Sequence, residues 1–332
     1  MLPILNKLLS INGREVTFAR RGFSSAKPEV RDRLEHIGTI FLVGYHAALQ
    51  ENKPEELTRK LERVELEYRG FAYEGAAMAL TLRDAIVPGS ARLAEFMAGA
   101  GKQHIYMLHV GAGWAYARLP WLRRPIEAVI RRFDPVLRWL VLDGYGFHQG
   151  YFHFKTPLRS ALNRLSIGAR HVFYQGLGRS LWFVHGCDPQ QISKTISSFP
   201  ALYQTDAWSG IGLACAYAGG AALSDQQELV ALAGRFNSAL AQGAAFAAKA
   251  RQLAGNEAAH TEQTCAVLAG VNAEQAASLC DCALAQLERN SSFPYQQWRE
   301  LVQNYFSSTR NTLRGNSHET SSSQSLVSAQ PD

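Results

Sequence analysis

Tyr73-Glu74-Gly75-Ala76-Ala77, His109-Val110-Gly111-Ala112-Gly113 and Trp208-Ser209-Gly210-Ile211-Gly212 are versions of one short text: an aromatic side chain, one further residue, then a glycine among small neighbours. Looser versions are Leu42-Val43-Gly44, His148-Gln149-Gly150, Tyr174-Gln175-Gly176 and Ala241-Gln242-Gly243. The glycines are spaced by 31, 36, 39, 26, 34 and 33 residues, and five of these six intervals fit helical-hairpin repeats whose units stack because none buries its apolar face alone. A glycine beside alanine gives a helix a smooth face for close approach of a second helix, which offsets the roughly 1 kcal/mol that mid-helix glycine costs relative to alanine. In a chain with 27 glycines and much alanine, chance recurrence is the competing explanation, and the 26-residue interval argues against strict regularity. The expected fold is all-α, an irregular helical-hairpin array or bundle of solenoid-like character.

Local signals agree. Asp134-Pro135, Thr156-Pro157 and Asp188-Pro189 each set a capping side chain before a proline, and Asn272 with Gln275 forms a capping box. Asn12-Gly13 and Asp143-Gly144 lack the alternating neighbours of a hairpin. The expected division is an N-terminal segment over 1–27, one helical domain over 28–306 and a serine-rich disordered tail over 307–332.

Composition narrows the function. The 332 residues are 47% hydrophobic, 10% aromatic and only 19% charged, with net charge +6, as suits a soluble globular chain with unusual aromatic content. Residues 1–21 are too polar for a secretory signal, and the most apolar stretch, Ile105 to Leu122, is interrupted by His109, Arg118 and Pro120. Five cysteines without a Cys-x-x-Cys support neither a disulfide framework nor a thiolate zinc site, and Cys280 and Cys282 read as buried inert thiols. A cytoplasmic location is expected. No phosphate loop, dinucleotide fingerprint, nucleophile elbow or zinc-helix motif occurs, so no cofactor and no metal are expected. Arg118 to Arg138 carries six arginines among Trp121, Ile126, Val129, Ile130, Phe133 and Leu137, with Pro125 starting a helix. It reads as an amphipathic basic helix, either a solvated outer face or one that rests on an anionic membrane surface or binds an acidic partner; nucleic acid would need basic charge over a wider area.

If the glycine segments are equivalent, the positions two before each glycine, Tyr73, His109, His148, Tyr174 and Trp208, form a column. With Gln175, and with Trp114, Tyr145 and Trp182 from the neighbouring text, they are the expected lining of a groove for an elongated apolar ligand. Aromatic core filler is the alternative. Glu74, His109, Asp143 and His148 are acid/base candidates by residue type; His171, His185, Asp188 and Asp206 share only the type. His148 and His153, five apart, do not form a metal-helix pair.

Five ordered segments, Gly70 to Ala79, Gly113 to Leu119, Asp143 to Gly150, Gly176 to Phe183 and Trp208 to Ala214, carry a resemblance to UnbL-type proteins. That is a bacterial domain of unknown function found in enediyne polyketide biosynthetic clusters. The resemblance spans roughly residues 30 to 310 and excludes the serine-rich tail. It implies an accessory role in turning a linear polyene into an enediyne or related product, and it carries over no catalytic residue. The ligand would then be a lipophilic polyene or polyketide intermediate, bound or processed. The other reading is a non-catalytic scaffold gripping another enzyme of the same cluster.

Overall fold

A computed structural model describes residues 9–24, 26–87, 89–119, 125–156, 158–288 and 291–308. Among them every regular element is helical. Seven long helices follow in chain order: α1 (Pro28–Gln50), α2 (Arg69–Ile86), α3 (Ile105–Ala117), α4 (Leu140–His153), α5 (Ile167–Val184), α6 (Ala201–Ala218) and α7 (Asn237–Ala254). Shorter connectors alternate with them, from the single turns Ile126–Val129 and Arg159–Leu162 to the longer Leu223–Ala233. Two helices, α8 (Ala259–Ala269) and α9 (Ala273–Ala285), and a helical run over 294–308 complete the array.

Each long helix packs on the next, and glycine sets the distance. A Cβ on Gly75 would meet the Phe41 carbonyl oxygen at 1.9 Å, and one on Gly111 would meet that of Glu74 at 2.1 Å. Gly144 stands likewise on Val110, Gly176 on Asp143, Gly210 on Gln175 and Gly243 on Ser209. These six glycines, each against the preceding helix, are spaced 36, 33, 32, 34 and 33 residues apart. A second set two residues later, Gly113, Gly146, Gly178 and Gly212, stands against the following helix. The repeat is therefore a Gly-x-Gly text with one glycine for each neighbour, and Gly144, not Gly150, is the member contributed by α4. Gly150 packs instead on the Ser180 side chain, and the 26-residue interval was a slip of register.

Neighbouring long helices run in the same direction: Gly44 meets Ala72 near the start of α2, whereas Arg83 near its end donates to the Ala48 and Glu51 carbonyls at 2.7 and 2.6 Å. The row curls until its ends meet. Arg33 of α1 donates to the Ala218 carbonyl of α6 at 2.7 Å, Arg251 of α7 to those of Tyr217 and Glu67, and the Phe71 and Tyr217 rings lie edge to face at 5.1 Å. The segment 9–24 crosses one side of this closed row, held by a Tyr45 hydroxyl that donates to the Leu9 carbonyl and a Phe18 amide that donates to Glu35. Helix 294–308 inserts Tyr295, Trp298 and Arg299, each almost fully buried, with the Trp298 indole donating to the Cys280 carbonyl.

The caps at Asp134, Asp188 and Asn272 form as read, each side chain accepting backbone N–H groups in its first turn. Two expectations change. The basic stretch forms no continuous helix over 125–138: Asp134-Pro135 breaks it into the turns Ile126–Val129, Ile130–Arg132 and Leu137–Trp139, whose apolar side chains pack on the core. Cys282 is exposed, while Cys280 is buried. Outside the described residues lie Pro120 to Arg124 of the basic stretch, Trp121 included, Pro157 of the Thr156-Pro157 cap, and the tail beyond Ser308.

Candidate functional site

Inside the closed row lies a cavity of about 670 Å³, within the range that encloses most of a small organic ligand. Its wall is drawn from α1 to α6 and from the segment 10–21. Counted from the glycine that faces the preceding helix in α2 to α6, the third residue onward gives Met78, Trp114, Phe147, Arg179 and Leu213, all lining the cavity. For α3 to α6 the seventh gives Arg118, Tyr151, Phe183 and Tyr217, also lining it. Helical periodicity explains both rows. At about 100° per residue, the glycine sits at the helix contact, the third and seventh positions fall on one inward stripe, and the position two before lies about 140° around from the third.

That angle decides where the expected column goes. Tyr73 faces outward, stacked on His104 at 3.8 Å with its hydroxyl donating to Glu62 at 2.8 Å. The His109 Nδ1–H donates to the Ile105 carbonyl, and the ring packs on Phe133. Tyr174 stacks on Tyr203 at 4.4 Å, Tyr145 packs on Phe173, and Trp208 is buried. The Trp182 indole donates to the Gly219 carbonyl at 2.9 Å. Gln175 joins an internal polar cluster. Of the nine expected lining residues, Trp114 and His148 line the cavity and these seven do not.

Trp114 is the hub of its apolar wall. Its ring lies 4.6 Å from Phe41, 5.0 Å from Phe147 and 5.7 Å from His148, and its indole N–H donates to Glu74 Oε1 at 2.9 Å. Three of the four acid/base candidates stand near this wall. Glu74 lines the cavity 3.7 Å from the Arg179 guanidinium, which forms a 2.9 Å ion pair with Asp143. Gln175 donates to the other Asp143 oxygen at 2.7 Å and to the Tyr295 hydroxyl at 2.9 Å. Burial pushes the Glu74 pKa up to about 7; Arg179 and the Trp114 hydrogen bond oppose the rise, and Asp143 adds to it. Burial likewise raises Asp143 against the pull of Arg179 and Gln175. The pair therefore shares one guanidinium, and Glu74 can hold a proton near neutral pH.

His148 lines another part of the cavity, with its pKa pushed down to about 3 by burial and then by His153 and Arg118. His109 is separated from all three on the outer face. His171 pairs with Asp206 at 2.7 Å, and Arg299 with the same carboxylate at 2.7 Å, but neither His171 nor Asp206 lines the cavity. His185 bridges Ser24 and Thr195, and Asp188 is a helix cap. Arg179, Phe183, Leu213 and Tyr217 are among the cavity residues that the sequence reading did not single out. Their signal was present as the third and seventh positions after Gly176 and Gly210.

The fold and site define a closed row of glycine-packed helices around an internal, mainly apolar cavity. A family model described as protein of unknown function (DUF1702) matches residues 3–306, and the chain belongs to that family. No curated protein and no solved structure matches the chain. No helix among the described residues is long and apolar enough to cross a membrane.

Proposed function

We propose that the protein binds an elongated, lipophilic, conjugated molecule in the central cavity, as an accessory factor in making an enediyne or related polyene-derived polyketide. The observation that carries this reading is the aromatic and aliphatic wall built by Phe41, Met78, Trp114, Phe147, Phe183 and Leu213. Such a wall removes a flat, apolar chain from water, which is favourable in proportion to the area covered. The resemblance to UnbL-type proteins supplies the pathway. Glu74 faces the cavity with a pKa of about 7, so it would give or take a proton if the bound molecule is processed.

The test is metabolite profiling of a host that makes such a product. Deleting the protein is expected to accumulate one conjugated linear intermediate; an unchanged profile contradicts the reading. Restoring the Glu74→Gln variant separates the modes: failure with normal protein levels indicates processing, and full rescue indicates binding alone. If the wild-type chain binds no polyene and instead co-purifies stoichiometrically with another enzyme of the pathway, the scaffold reading replaces this one.

A further inference from the structure

The cavity has two chemically different ends. At one, Arg179 is occupied by Glu74 and Asp143, so the cation is already matched by carboxylates. At the other, Arg21 and His148 each pack against the Phe152 ring, and Glu15 is the lining carboxylate nearby. The Arg21 guanidinium lies 4.9 Å from the Phe152 ring centroid, and the His148 ring lies 4.7 Å from it on the same helix. Arg21, Arg118, His148 and His153 all line the cavity. Arg21 gives its terminal nitrogen to Glu15, but its Nε is buried without a hydrogen-bond partner. His148 is only 5% exposed, and its Nδ1 is likewise buried and unpartnered. The exposed Arg118 side chain has neither ion pair nor hydrogen bond among the described residues. Glu15 is the one carboxylate among the lining residues at this end, set against two guanidinium groups.

A buried donor left unsatisfied costs about 1–3 kcal/mol, so native structures usually supply it with a partner. Two such donors beside an unpaired arginine, at the rim of an otherwise apolar cavity, form an incomplete anion site. We infer that this end receives the carboxylate of the ligand: Arg118 supplies the charge, while His148 Nδ1–H and Arg21 Nε–H donate to the oxygens. The neutral imidazole suits that part, because it donates one hydrogen bond without a second buried charge. The ligand would then be an acid whose conjugated chain runs inward past Trp114 and Phe147 toward Glu74. This inference rests on the proposed polyene binding and adds the head group and its direction.

The test uses parinaric acid, a linear conjugated tetraene carboxylic acid, and its methyl ester, each titrated by probe fluorescence into the full chain and its Arg118→Gln variant. Arg118 is exposed and unpaired, so the substitution is expected to leave the melting temperature unchanged. The inference expects the acid to bind wild type at least about tenfold more tightly than the ester, with that advantage lost in Arg118→Gln and ester binding unaffected. Equal binding of acid and ester overturns the head-group assignment and leaves polyene binding standing. An acid advantage that survives Arg118→Gln also overturns it. Failure of both probes to bind wild type overturns the polyene reading itself.

Discussion

Arg179 of the fifth long helix stands 3.7 Å from Glu74 of the second, so a contact across the closed row ties together helices that are not neighbours along it. The cavity exists because the row closes, and this ion pair lies on its wall. Charged groups with so little exposure are costly unless paired, and breaking such a pair from one side leaves an uncompensated charge.

Glu74 gives the protein a specific pH dependence. Its pKa in the folded chain is about 7, above the usual 4.5, so between those values the folded state holds a proton that the unfolded state has released. Stability therefore falls as pH rises through that window and levels off above it, by at most about 1.4 kcal/mol per pH unit from this one group. Asp143 contributes with the same sign. Denaturant melts of wild type and Glu74→Gln from pH 4.5 to 8 are expected to diverge in slope, with the variant flatter. Parallel curves would show that Glu74 titrates normally.

The glycines that face neighbouring helices are expected to tolerate no side chain. In Gly176→Ala the added Cβ would stand 1.9 Å from the Asp143 carbonyl oxygen and 2.7 Å from the Phe147 amide nitrogen. Backbone cannot rotate aside as a side chain can, so the helices must separate, at a cost of about 3 kcal/mol or more. Gly13→Ala has nothing within 4 Å and is expected to be within about 0.5 kcal/mol of wild type. Chemical denaturation of the two variants checks the contrast.

Trp114 reports on occupancy. Among the chain's 6 tryptophans it is the one described on the cavity wall, so a bound conjugated chain is expected to quench its emission most. Trp114→Phe should reduce the quench amplitude while leaving a saturable titration. An amplitude equal to wild type would place the ligand elsewhere.

The helical array was legible in the glycine spacing and in the caps at Asp134, Asp188 and Asn272, because both express local backbone chemistry. The register of the repeat was not, because His148-Gln149-Gly150 imitates the text of His109-Val110-Gly111, whereas Asp143-Gly144 carries the contact on Val110. The lining was misplaced for a geometric reason. Marking the glycine fixes where helices touch, but which flank of that contact faces inward depends on how the row curves, and no single repeat encodes that. Tyr73 and Tyr174 consequently fell on the outer side and Arg179 and Leu213 on the inner. The joining of Glu74 to Asp143 through Arg179 spans three helices and has no sequence spacing to announce it.

The central claim is that the cavity inside the closed row holds a ligand, and filling it tests this most directly. Leu213 lines the cavity and is only partly buried, so Leu213→Trp places a larger ring in open space rather than in packed core. Native mass spectrometry with the methyl ester of parinaric acid is expected to show one molecule bound per wild-type chain and none bound to Leu213→Trp, with the two proteins melting alike. Equal occupancy of wild type and the filled variant would contradict the account.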